Sequence, residues 1–268
     1  MFTSLRGILT GMGINLQLFT IIPINRGLPM NQSSLSYVLK TFPLLGLLQG
    51  VIYASVLFLL LSYTPFSQVS IAMGLWLVLI VLSGGIHLDG LIDTSDAYFS
   101  YREPEKRLEV MEDPRVGAFG VLSVVVFLAG RFVVFYELAT MTNDWTYLLM
   151  VTVPFLGKML MGVYLQMLPA ARASGMAHFF KQGSSRINWL IYSCYLIVIG
   201  LLIGVLNIEL LAGYFILVSS TAVVGYIITG KITKHFGGIS GDTLGASSEG
   251  LELVLWIVMW QLHSFAMV

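Results

Sequence analysis

The chain has 268 residues, of which 57% are hydrophobic and only 10% charged, and its mean hydropathy is +0.86. Soluble domains carry about 25% charged residues, so this composition excludes a water-facing globule and points to an all-α polytopic membrane bundle that meets lipid over much of its area. The net charge is zero, and Cys194, the single cysteine, excludes an intramolecular disulfide or a cysteine-cluster metal site.

Apolar windows of spanning length fall at roughly 7–24, 38–62, 69–87, 117–138, 146–168, 188–206, 208–230 and 251–267. They predict about seven or eight transmembrane helices in one domain covering residues 1–268, with no cleaved signal peptide. The first window contains Gly11, Gly13, Asn15 and Gln17 and suits either a span or an interfacial helix; the last is short and carries Glu252 and His263.

Loop charge orients the windows. Connections near 63–68, 139–145 and 207 contain no Lys or Arg, whereas the alternate connections hold Arg26, Lys40, Arg102, Lys106, Arg107, Arg115, Arg172, Lys181, Arg186, Lys231 and Lys234. Eleven of 14 basic residues thus share one side, which the positive-inside rule makes cytoplasmic. Arg131 and Lys158 lie inside apolar runs, where a charge costs at least a few kcal/mol. Each marks a pathway, a substrate group or an ion pair within the bundle, with Glu137 one available partner.

Polar chemistry concentrates after the third window, in His87-Leu-Asp-Gly-Leu-Ile-Asp-Thr-Ser-Asp96. On a helix Asp89, Asp93 and Asp96 are spaced i, i+4, i+7, within an arc of about 60°. Like charges this close repel unless a cation joins them, and hard oxygen ligands in a partly open cluster suit Mg²⁺ shared with a substrate phosphate. His87 beside them is a candidate ligand, general base or phosphate donor. Next come Arg102, Lys106 and Arg107, able to neutralise a pyrophosphate or simply to set topology as a solvated loop. Asp113 and Arg115, just before Gly117 and Gly120, are candidates for substrate contact or for capping the next helix.

The second polar stretch, Gly237-Gly-Ile-Ser-Gly-Asp-Thr-Leu-Gly245, has four glycines in nine residues, which lets backbone N–H groups approach a phosphate. It lacks the Gly-Lys-Ser/Thr ending of a Walker A loop. Gly238, Gly241 and Thr243 are candidate substrate contacts, and Asp242 a further metal ligand. Both polar stretches are expected on the cytoplasmic face.

Gly84-Gly-Ile-His-Leu-Asp-Gly-Leu-Ile-Asp-Thr-Ser-Asp96 resembles the signature of the cobalamin synthase (adenosylcobinamide-GDP ribazoletransferase) family, roughly Gly-Gly-Leu-His-Leu-Asp-Gly-Leu-Ala-Asp-Thr-x-Asp-Gly. Arg107-Leu-Glu-Val-Met-Glu-Asp-Pro-Arg-Val-Gly-Ala-Phe-Gly120 is similar to its next motif, and Phe19-Thr-Ile-Ile-Pro23, Phe42-Pro-Leu-Leu-Gly46, Ala171-Arg172 and Gly237–Ala246 follow in the family's order. Departures are Ala97 for a glycine, Lys158 for an arginine, and no Pro-Tyr before Arg172.

The resemblance implies transfer of the corrinoid phosphate of adenosylcobinamide-GDP to α-ribazole or its 5′-phosphate, with release of GMP and Mg²⁺ as the metal. It implies a multi-pass protein of a bacterial or archaeal cytoplasmic membrane, with its active site facing the cytoplasm. The bilayer is then a partner and nucleic acid is not; a homo-oligomer, or association with other cobalamin-assembly enzymes, stays open. The expected site comprises His87, Asp89, Asp93 and Asp96 as catalytic or metal-holding groups with Asp242. Arg107, Asp113, Arg115, Arg172, Gly238, Gly241 and Thr243 are expected on substrate. A CDP-alcohol phosphotransferase fits less well, because Asp89-Gly90 is not followed by Ala-Arg. A cation-coupled transporter would place carboxylates near the midplane and polar residues on both sides.

Overall fold

The computed structural model describes residues 5–265. Eleven helices occur among them: α1 (Leu5–Phe19), α2 (Gln32–Tyr63), α3 (Gln68–Ser83), α4 (Ile86–Phe99), α5 (Pro104–Met111), α6 (Ala118–Thr140), α7 (Asp144–Met167), α8 (Met176–Lys181), α9 (Arg186–Leu206), α10 (Leu210–Phe236) and α11 (Gly241–Phe265). The described residues contain no β-strand, only an isolated parallel bridge between Ala170 and Ile239.

Local chemistry sets the ends. Asn31 caps α2 by accepting from the Ser34 N–H at 3.0 Å, and Asn143 and Thr146 cap α7 reciprocally. Gly84 and Gly85 both take positive φ (64° and 76°), a region open to glycine without strain, and there the chain turns by 86° from α3 into α4. This turn carries the acidic segment sharply away from the direction of the apolar helix before it.

Among the described residues five helices are long and apolar enough to cross a membrane: α2, α6, α7, α9 and α10; the bent pair α3–α4 makes a sixth if counted as one span. By length and apolarity these supply five or six of the seven or eight spans expected from the sequence, and α1 and α11 are the expected spans outside that set. At 15 residues α1 reaches only about 22 Å, against a hydrocarbon core of about 30 Å. Its Asn15 is fully buried and donates to the Val38 carbonyl at 3.0 Å and to Thr41 Oγ1 at 2.9 Å, which ties α1 to α2. Helix α11 is 25 residues long but includes Asp242, Glu249 and Glu252, so it fails on apolarity rather than length.

Small residues let the central helices approach. A Cβ on Gly46 or Gly50 of α2 would strike the α7 backbone around Pro154 or Val151. Around α11 gather α4, α6, α7 and α10, with Trp256 fully buried and edge-on to Phe135 at 5.3 Å between ring centroids. Apolar side chains cover the outer faces as well: Leu190 and Val205 on α9, Val126 on α6 and Tyr226 on α10 are exposed. Such a surface is stable where lipid, not water, is the solvent.

Candidate active site

Two features bring the polar stretches together. Gly90 of α4 packs so closely on the start of α11 that an added Cβ would lie 2.8 Å from Asp242 Cα. Meanwhile Ile239 N donates to the Pro169 carbonyl and Ala171 N to the Ile239 carbonyl, both at 2.8 Å. These bonds pin the loop carrying Arg172 to the loop carrying Asp242. Gly238 lies inside that junction, buried, with no room for a Cβ against Pro169 and Ala171.

The spacing of Asp89, Asp93 and Asp96 on one helix is as expected, since all three lie on α4. The charges of Asp89, Asp242 and Asp96 all act on Asp93. At the start of α11, outside the spans, burial pushes the Asp242 carboxyl up, and the Asp89 charge pushes the same way. Arg172 offsets part of this.

Asp96 has a separate task. Its two oxygens accept from the Gly117 N–H at 2.7 Å and the Gly120 N–H at 2.8 Å, so it caps α6 from another helix. Two acceptor sites of Asp96 are thus taken by α6, while an ionised carboxylate has about four, so Asp96 keeps acceptors of its own beside Asp89, Asp93 and Asp242.

Among the described residues no three His, Cys, Asp or Glu side chains close up as a metal cage. Mg²⁺ usually takes one or two carboxylates and completes its shell with water and substrate phosphate. The donors are hard oxygens, and Arg172, the one basic group acting on Asp242, is itself paired with Glu112. The residues fit such an ion.

Two adjoining cavities open here and share Met176, Ala177, Gly241 and Asp242. The first, about 220 Å³, is lined by Arg172, Ser174, Glu112 and Ser240. The second, about 250 Å³, is lined by Phe19, Phe42, Phe180, His87 and Asp89.

The remaining candidates lie as follows. Arg107 is buried, donates from Nε to the Arg102 carbonyl at 2.6 Å and sits over the Tyr98 ring, where it braces the α4–α5 corner. Asp113 and Arg115 pair with each other at 2.6 Å in the solvent-facing loop, and Arg115 holds the Asp113 carboxyl down to about 2. Thr243 accepts from the Ser240 N–H at 2.8 Å while Ser240 Oγ accepts from the Thr243 N–H at 3.1 Å, so the two cap α11 reciprocally. Gly241 lines both cavities.

Below the carboxylates runs a buried charge network that the sequence reading did not assemble. Arg131 donates to Glu249, Lys158 reaches Glu252 Oε1 at 2.9 Å and Ser248 Oγ at 3.0 Å, and His87 Nδ1 lies 3.9 Å from Glu249 Oε1. Glu137 is not the partner of Arg131. Glu249 and Glu252 at i, i+3 on the last helix were the signal, since a spanning-length segment with two acids implies two buried cations.

The fold and site define a multi-pass α-helical membrane protein with a carboxylate-lined cleft at one end of its bundle. No solved structure matches the chain. The family described as cobalamin-5-phosphate synthase matches residues 11–260, and the chain belongs to that family. It is similar to the adenosylcobinamide-GDP ribazoletransferase of Geobacillus sp. (strain WCH70), with 34% identity over 97% of this chain and 98% of the relative. The protein of that name from Geobacillus kaustophilus (strain HTA426) is 36% identical over 94% and 95%. The one from Desulfitobacterium hafniense (strain Y51) is 33% identical over 90% and 92%.

Proposed function

We propose that this protein transfers the cobinamide-phosphate group of adenosylcobinamide-GDP to α-ribazole or its 5′-phosphate, releasing GMP, at the cytoplasmic face of a bacterial or archaeal membrane. The observation that carries the site assignment is the approach of α4 to the start of α11 at Gly90, which sets Asp89 and Asp93 beside Asp242. Family membership and relatives aligned over almost the whole chain support the reaction. The cytoplasmic orientation rests on loop charge: the basic connections lie at the carboxylate end.

Two of Asp89, Asp93 and Asp242 would hold Mg²⁺, which when bound neutralises the diphosphate and the phosphate of the departing GMP. Arg172, on the wall of the first cavity, supplies positive charge to the same diphosphate, exchanging Glu112 for a phosphate oxygen. In the transfer a ribose hydroxyl oxygen of the acceptor bonds to the corrinoid phosphorus. The bond from that phosphorus to the bridging oxygen breaks, and the electron pair leaves with GMP. A carboxylate of the cluster takes the hydroxyl proton. Asp96 holds α4 to the head of α6 and thereby fixes the direction of the other carboxylates.

The charged groups inside the bundle also bear on the transporter reading. Arg131 and Lys158 are neutralised by Glu249 and Glu252, and the pairs are sealed from solvent, which suits a rigid foundation rather than an ion path. The test of the proposed reaction is joint assay of corrinoid product and GMP from membranes given adenosylcobinamide-GDP, α-ribazole and Mg²⁺. Loss of both products in the Asp89→Ala and Asp93→Ala proteins supports the assignment.

A further inference from the structure

The two adjoining cavities differ in the side chains that line them. The first places Arg172, Glu112, Ser174 and Ser240 among Leu108, Met111 and Ile239. The other is an aromatic enclosure: Phe42 is fully buried, Phe180 and Phe19 nearly so, and their rings stand 5.2 Å (Phe19–Phe42) and 6.1 Å (Phe19–Phe180) apart at the centroids. Leu165, Met161 and Leu244 complete the apolar wall, and among the described residues Asp89 and Asp242 are the charged side chains lining it.

His87 backs this wall. Its ring lies 6.0 Å from the Phe19 ring and is 3% exposed, with Nδ1 3.9 Å from Glu249 Oε1.

Resting on the transfer reaction proposed above, we infer that this aromatic cavity receives the uncharged base of the acceptor nucleoside, the methylated benzimidazole of ribazole, so that the attached ribose meets Asp89 and Asp242. A corrin is far too large for a space of about 250 Å³. The competing occupant is the guanine of the donor. Guanine carries several donors and acceptors around its edge, and an enclosure of phenylalanine, leucine and methionine leaves most of them unpaired and desolvated. A methylated benzimidazole has few such groups and a large apolar face, which suits the offset and edge-on packing that aromatic walls offer. Guanine then falls to the neighbouring cavity, where Arg172, Glu112, Ser174 and Ser240 offer hydrogen-bond partners.

The test uses the full-length protein in native membranes or detergent micelles, with separate titrations of acceptor and donor. Met161→Trp narrows the cavity and Phe180→Ala opens it, while Phe180→Leu keeps its apolar character. The expected result is an acceptor KM at least about tenfold higher in Met161→Trp and Phe180→Ala, near wild type in Phe180→Leu, and an unaltered donor KM in all three. Equilibrium dialysis of radiolabelled α-ribazole without donor supplies a readout independent of turnover, and the same loss of binding is expected there. Thermal melting identifies any variant that fails to fold, and dialysis on the wild-type protein with guanosine as competitor then carries the test alone. Guanosine displacing α-ribazole as well as unlabelled α-ribazole does would overturn the inference. So would a rise in donor KM alone, or unchanged KM values in folded variants. If the wild-type protein binds α-ribazole but releases no GMP from adenosylcobinamide-GDP, the reaction reading fails while the cavity assignment stands.

Discussion

Lys158 Nζ lies 2.9 Å from Glu252 Oε1, with both side chains sealed inside the bundle and Ser248 bonded to each. Removing one partner leaves an uncompensated buried charge, which costs about 3–5 kcal/mol, whereas replacing both by apolar residues is often near neutral. Lys158→Met and Glu252→Leu are each expected to lower thermal stability strongly, and the double variant to regain most of it. A double-mutant cycle on the melting temperature in detergent checks this.

Gly90→Ala places a methyl group against the α11 backbone, which cannot swing aside as a side-chain end would. Overpacking of this kind costs about 1–3 kcal/mol, and it moves Asp89 and Asp93 from Asp242. Activity is expected to fall at least about tenfold, since an ångström-scale misplacement of reacting groups costs up to 10²-fold. The kcat of the variant in membranes is the readout.

How far these contacts were legible in the sequence differs from residue to residue. The three aspartates of α4 were visible because helical periodicity is local. Asp96's turn toward α6 was not, because its partners Gly117 and Gly120 come 21 and 24 residues later. Arg131 was recognisable as a buried cation, but Glu249 stands 118 residues away, and Glu137 was merely the nearest acid in the same segment. Thr243 caps α11 with Ser240, and its Gly-rich setting reads alike for a ligand loop and a helix cap. Spans are harder to count: α1 is apolar but has 15 residues, and α11 is long but carries acids paired inside the bundle.

Asp96 and Asp93 should separate under mutation. Asp96→Ala removes the cap of α6 and is expected to cost about 1–2 kcal/mol in stability. Asp93→Asn removes a charge from a crowded cluster, and in metal-free buffer it is expected to melt at or above the wild-type temperature while losing activity. Melting curves paired with product assays distinguish the two roles.

The Asp113–Arg115 pair is ionised throughout the working range. The Asp113 carboxyl is held down to about 2, so whatever the pair contributes is present above the ordinary carboxylate value and is lost as pH falls through about 2. Because the pair faces solvent, water and salt screen it. Asp113→Asn is therefore expected to leave the melting temperature unchanged from about pH 5 upward, as a pH series of thermal melts would show.

The central claim is that the carboxylates of α4 and α11 carry Mg²⁺-dependent transfer. Its most direct test is single-turnover release of GMP, with the corrinoid product, from membranes holding the wild-type, Asp89→Ala, Asp93→Ala or Asp242→Ala protein, with Mg²⁺ or with chelator. Expected is formation of both products in equal amounts by the wild-type protein with Mg²⁺, and loss of both on chelation or in each folded variant. Undiminished release from the folded Asp89→Ala and Asp93→Ala proteins, or full activity in chelator, would contradict it.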